Sequence, residues 1–168
     1  MSMAEFLVGE FDHEAGNTRK ALARVPEAHV AWTPHPKSSS LGELALHIAG
    51  LPVWVGRSLQ LSEFDIAPPG GPGQVRDVWQ SHDALMAKFE NHVADARAII
   101  AATTDAQFME PWTLKRGGVA AMTLPKIAVL RSFVLSHIIH HRGQLTVYLR
   151  LKDVPLPFLY GPTADENM

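Results

Sequence analysis

TLPKIAVLRSFVLSHIIHHRGQLTVYLRLK, residues 123–152, carries the period of one face of an α-helix. Ile127, Leu130, Val134, His137, His141, Leu145 and Tyr148 recur at intervals of three and four. Thr123 suits an N-cap and Pro125 a first turn, so the spacing predicts a helix over residues 123–152. Two histidines lie in its apolar seam, and His140 is shifted to a flank with Ser136 and Gly143. Arg142 follows the pair; its expected role is an exposed salt bridge. Gly143 weakens a mid-helix position by about 1 kcal/mol relative to alanine. Close approach of a neighbouring helix is the expected compensation.

Three further helices are read outward from this one. Leu7, Phe11, Leu22 and Val25 mark a helix over residues 3–25 that Pro26 stops. In SLGELALHIAGL, residues 40–51, Ser40 and Glu43 form a capping-box pattern, and Leu41, Leu44, Ala45, Ile48 and Leu51 share a face. Pro52 is expected to kink that helix and free the Ile48 carbonyl beside His47. After the breaker APPGGPG, residues 67–73, a seam from Val75 through Trp79, His82, Met86, Phe89, Val93 and Ala96 to Ile100 predicts a helix over residues 75–102. The connection over residues 103–123 is long enough to be functional or to carry short structure of its own. No convincing stretch alternates with period two, so the expected fold is all-α, a four-helix bundle with long crossover connections.

Composition narrows the function classes. The 168 residues are 46% hydrophobic and 19% charged, which suits one domain with a sizeable core over residues 1–168. A net charge of −2 gives no footprint for nucleic acid or an anionic membrane. No apolar run reaches the roughly 20 residues of a membrane span. The N-terminal stretch lacks the basic start and cleavage site of a signal peptide. The chain has no cysteine, which fits a cytoplasmic protein, removes thiolate as a ligand or nucleophile, and leaves His, Asp and Glu to build any metal site.

His47, three residues after Leu44 and four before Leu51, is expected to face inward like His137 and His141. Two arrangements satisfy this spacing: buried histidines bonded to polar neighbours, or one metal shared by imidazoles from facing helices. Three protein ligands leave positions open, the mark of a catalytic site. Glu43 fits the capping box better than a role orienting His47, and His82 a core or pocket place better than ligation. His13, His29, His35 and His92 are expected to be solvated. No phosphate-binding glycine loop, nucleophile elbow or H-E-x-x-H occurs.

HIIHHRGQLTVYLR with VPLPFLYGPTADE after it and LGELALHIAGLPVW upstream resembles the DinB/YfiT-like superfamily of metal-binding four-helix bundles over nearly the whole chain. The H-x-x-x-H-R-G-Q segment is the most specific part. The resemblance implies His47, His137 and His141 as the metal ligands. It implies a divalent ion (nickel, zinc or iron), a homodimer, and in some relatives transfer of a low-molecular-weight thiol such as bacillithiol, mycothiol or glutathione. The expected function is therefore a metal-dependent S-transferase acting on an electrophilic small molecule. A metal-dependent hydrolase and a non-catalytic metal-binding stress protein are the alternatives.

Overall fold

The computed structural model describes residues 2–71 and 77–167. Helix α1, Met3–Leu22, opens on a capping box: Ser2 Oγ accepts the Glu5 N–H at 3.2 Å, and Glu5 Oε2 accepts the Ser2 N–H at 2.8 Å. Helix α2, Leu41–Gly50, opens the same way on Ser40 and Glu43. Pro52 ends it in a 3₁₀ turn, Leu51–Val53, and the short helix α3, Trp54–Leu59, follows. The break does not free the Ile48 carbonyl as expected, because the Leu51 N–H turns back onto it. The next carbonyl, of Ala49, accepts Nδ1–H of His92 at 2.9 Å, so His92 is half-buried and bonded rather than solvated.

Helix α4 is His82–Ala102, capped by Ser81, whose Oγ accepts the Ala84 N–H at 3.1 Å. The expected start at Val75 lies outside the described residues, and residues 77–81 are not helical. The buried stripe is Leu85, Phe89, Val93, Ala96 and Ile100. His82 sits in the first turn, and its Nε2–H reaches the Leu22 carbonyl at the end of α1, 3.2 Å away.

The connections correct the all-α expectation. Strand β1, Glu63–Asp65, pairs parallel with β2, Pro111–Arg116, and β2 pairs antiparallel with β3, Val119–Pro125. A one-turn helix α5, Asp105–Phe108, precedes the hairpin. Gly117 and Gly118 form its two-residue turn with φ of 65° and 80°, the left-handed conformation that matches strand twist. β3 is exposed along most of its length, so its sequence shows no apolar alternation. Trp112 of β2 is fully buried and donates Nε1–H to the Arg57 carbonyl at 2.8 Å, which fixes the sheet to α3.

The last helical stretch runs as α6, Lys126–Val129, a π-turn, Leu130–Leu135, and α7, Ser136–Arg150. Pro125 is its N-cap; Thr123 belongs to β3, paired through its hydroxyl with Thr113 at 2.9 Å. α1 packs on α4 and α7, and α2 packs on the same two, enclosing the core. The protein is thus mostly helical with a small three-stranded sheet. No helix among the described residues is long and apolar enough to cross a membrane.

The π-turn alters which side chains are buried. The Ser136 N–H bonds back to the Arg131 carbonyl, five residues away, so this turn holds an extra residue and later positions slip by one. The core-facing stripe becomes Val134, Ile138, Arg142, Leu145 and Leu149. Arg142, expected outside, is only 1% exposed. Its guanidinium meets Glu14 Oε2 at 2.6 Å, the Glu14 carbonyl at 3.0 Å and Thr18 Oγ1 at 3.0 Å, and it also bonds the Tyr160 hydroxyl. Tyr160 donates to Glu14 Oε2 at 2.5 Å, so the tail after α7 closes over the pair. Gly143 is exposed, and outside its own turn of α7 nothing among the described residues lies within 4 Å of where a Cβ would stand, so no described helix makes the expected close approach.

Candidate metal centre

The same slip moves His137 and His141 out of the core stripe onto the adjoining strip of α7 that faces α2. Both are half-buried, and His47 on α2 is exposed over much of its surface. The inward orientation expected of all three is corrected: they meet at the edge of the core, where solvent and small molecules reach them.

Their nitrogens converge. His137 Nε2 lies 2.8 Å from His141 Nε2 and 3.5 Å from His47 Nε2. The ring centroids are 4.6 to 5.2 Å apart, and the ligating atoms all lie within 4.8 Å of one another. Nitrogens each about 2.1 Å from one ion are at most about 4.2 Å apart. The two Nε2 separations fall inside that limit and the third pair lies within 4.8 Å, so the rings stand within a small rotation of sharing an ion. No other group of three His, Asp or Glu among the described residues is so placed.

The rings are held ready for that role. Gln144 Oε1 lies 2.7 Å from Nδ1 of His141; an amide oxygen only accepts, so Nδ1 carries the proton and Nε2 is left with its lone pair. Loss of hydration lowers the proton affinity of all three histidines. It brings His47 down to about 4, with repulsion from His141 and His137 adding to the effect. A hydrogen bond to the Phe133 backbone opposes the shift at His137, as Gln144 does at His141. At neutral pH the cluster is therefore three neutral imidazoles, the form in which histidine binds metal.

The other singled-out residues lie elsewhere. Glu43 is held in its capping box, and His82 lies on the Leu22 carbonyl. His140 is exposed, its ring beside that of His141 at 4.9 Å but outside the cluster. Three clefts open at His47, and two of them also reach His137 or His141. The larger, about 780 Å³, runs from His47 and His137 between Trp54, Phe64 and Phe133. The smaller, about 340 Å³, is lined by His47, His141, Gln144, Tyr148 and the serines 38 and 39. Gln144 and Arg57 were missed in the sequence, although Gln144 at three residues from His141 shares its helix face.

A mostly helical scaffold that gathers three imidazoles from two helices at the mouth of a cleft defines a protein with a candidate three-histidine metal centre. The chain belongs to the DinB superfamily, whose family model matches residues 10–145, a span that includes all three histidines. The crystal structure of a DinB-like protein (YjoA) from Bacillus subtilis is similar over 90% of this chain and 96% of that one. The identity is 21% and the TM-score 0.68, a likeness of fold. The comparison with curated proteins gives no match.

Proposed function

We propose that His47, His137 and His141 bind one divalent metal ion, and that the protein is an S-transferase joining an external low-molecular-weight thiol to an electrophilic small molecule. The observation that carries this reading is the convergence of three neutral imidazoles where the two clefts that reach His137 or His141 open. Two clefts provide room for two reactants, and a chain without cysteine must take its sulfur from outside. A divalent cation held there supplies positive charge that favours thiolate over thiol near neutral pH. In the transfer, sulfur bonds to the electrophilic carbon, the bond from that carbon to its leaving group breaks, and the electron pair departs with the leaving group. The thiol proton goes to solvent. Gln144 keeps His141 in the tautomer with Nε2 free, and the aromatic walls of the larger cleft offer apolar surface to the body of the electrophile. Three imidazoles serve nickel, zinc and iron alike.

Hydrolysis ranks second because it asks for a general base. Glu43 is spent on its cap, and both oxygens of Asp65, the carboxylate lining the larger cleft, accept backbone N–H groups. The test is elemental analysis of untagged protein, followed by turnover of an aryl halide with glutathione, bacillithiol or mycothiol. We expect about one equivalent of metal, and thiol-dependent turnover lost with chelator and in His47→Ala. Metal without thiol-dependent turnover sinks the transferase; absence of metal after reconstitution sinks both.

We read the four long helical stretches, each packed on two others, as the family's bundle with an added sheet. We also read a homodimer through the outer face of α7. Ile139, Val147 and, at the C-cap, Leu151 are exposed there in a stripe, eight and twelve residues on from Ile139, with the open Gly143 four residues on. Gly143→Leu is expected to convert a dimer to a monomer by light scattering. A monomeric parent, or a dimeric variant, refutes this.

A further inference from the structure

The larger cleft holds a cation with no ion-pair partner among the described residues. Arg19, Arg24, Arg97, Arg131, Arg142 and Arg150 each pair with a carboxylate. Arg57 pairs with none among the described residues, although it lines the cleft that begins at His47 and His137. Its guanidinium carbon lies 4.6 Å from the Phe64 ring centroid and 5.0 Å from that of Trp54. The nearby carboxylates are engaged elsewhere. Asp65, in the same cleft, accepts N–H groups from Ala67 at 2.9 Å, Gly117 at 3.1 Å and Gly118 at 2.6 Å. Asp77, which shares the adjoining recess with Arg57, is paired with Lys88.

The position of Arg57 is fixed from behind. Its carbonyl accepts the buried Trp112 indole N–H, which locks this turn of α3 to the sheet. Burial lowers the proton affinity of Arg57, yet a guanidinium stays charged at any physiological pH. A half-buried cation packed over two adjoining rings, with its donors unspent among the described residues, is preorganised for a planar anion that accepts two hydrogen bonds at once.

We infer that Arg57 anchors a carboxylate of a bound reactant in the larger cleft, with the adjoining apolar part of that reactant on Trp54 and Phe64 and its reactive end toward His47 and His137. This rests on the metal-centre reading for the reaction but not for the binding. The reactant class is a small organic acid with an apolar or aromatic body. Both the electrophile and the thiol can present such a carboxylate, and the two sources are separated by probe.

Binding of hydrocinnamate and of its neutral amide, and of glutathione and its diethyl ester, is measured by calorimetry on metal-loaded and metal-stripped protein. Hydrocinnamate is expected to bind both forms and to outcompete its amide. Arg57→Gln should weaken the acid roughly tenfold or more, leave the amide unchanged and keep its thermal midpoint, while Arg57→Lys retains part of the preference. The same pattern for glutathione against its ester, with hydrocinnamate unaffected, assigns the carboxylate to the thiol and supports the anchor equally. Acids that bind Arg57→Gln as tightly as the parent overturn the inference, as does acid binding lost on metal removal and indifferent to Arg57. Absence of metal with an intact Arg57 effect fails the metal centre alone.

Discussion

Arg142→Met is expected to destabilise the protein by about 3–5 kcal/mol, the cost of leaving a buried charge without its partner. The side chain of Arg142 is 1% exposed and that of Glu14 is 9% exposed, so water does not replace the lost cation. The Glu14 carboxylate would keep only the Tyr160 hydroxyl, at 2.5 Å, among the bonds that now hold it. Against a domain stability of about 5–15 kcal/mol, such a loss is large enough to see in a urea titration. Adding Glu14→Gln should recover most of it, because an uncharged pair costs far less to bury. A loss below about 1 kcal/mol in the single variant would mean that the pair is not what holds α7 to α1. Metal stoichiometry of the folded variant should not change, since Arg142 points toward α1 and the histidines toward α2.

That ion pair marks where the sequence could be read and where it could not. The capping box at Ser40 and the helical periods placed α1 and α2 within a few residues and the C-terminal ends of α4 and α7 likewise, because local bonds and one apolar face determine them, whereas α4 starts seven residues later than its seam implied. The histidine triad was legible as a set: four residues along one helix share a face whichever way that face turns. Its orientation was not. A seam extrapolated from Leu130 at a constant period reaches His137 and His141, and one wide turn moves the core to Ile138 and Arg142. Nothing in LRSFVL, residues 130–135, announces a π-turn. The strands were missed for a different reason. Residues 119–121, Val-Ala-Ala, are apolar and exposed, so only the Gly-Gly pair marked the hairpin. The tail motif, read as a family signature, gains a physical role: Tyr160 seals the buried pair, and Asp165 and Glu166 bond Arg150 and Arg24.

His137→Ala and His141→Ala are each expected to abolish tight binding of zinc or nickel, whereas His140→Ala should leave it intact. The distinction follows from geometry: His140 is exposed and outside the convergent set, although it neighbours His141 in sequence and space. Gln144→Ala should fall between, weakening binding about 10–100-fold by freeing the wrong tautomer of His141. The pH dependence gives an independent reading of the same cluster. Protons compete with metal for imidazole, and a free histidine begins to win them below about pH 6.5. Here all three proton affinities are lowered, so metal affinity should stay level through that value and fall only at lower pH. The stability of the metal-free fold follows the same sign. The unfolded chain takes up protons near pH 6.5 while the folded cluster resists, so stability is full above that pH and drains away as pH falls toward the His47 value of about 4. Chelator-competition titrations and urea unfolding between about pH 5 and 8 measure both. A metal affinity that declines from pH 6.5 like that of free imidazole, or one that survives His141→Ala, would remove these three histidines as the centre.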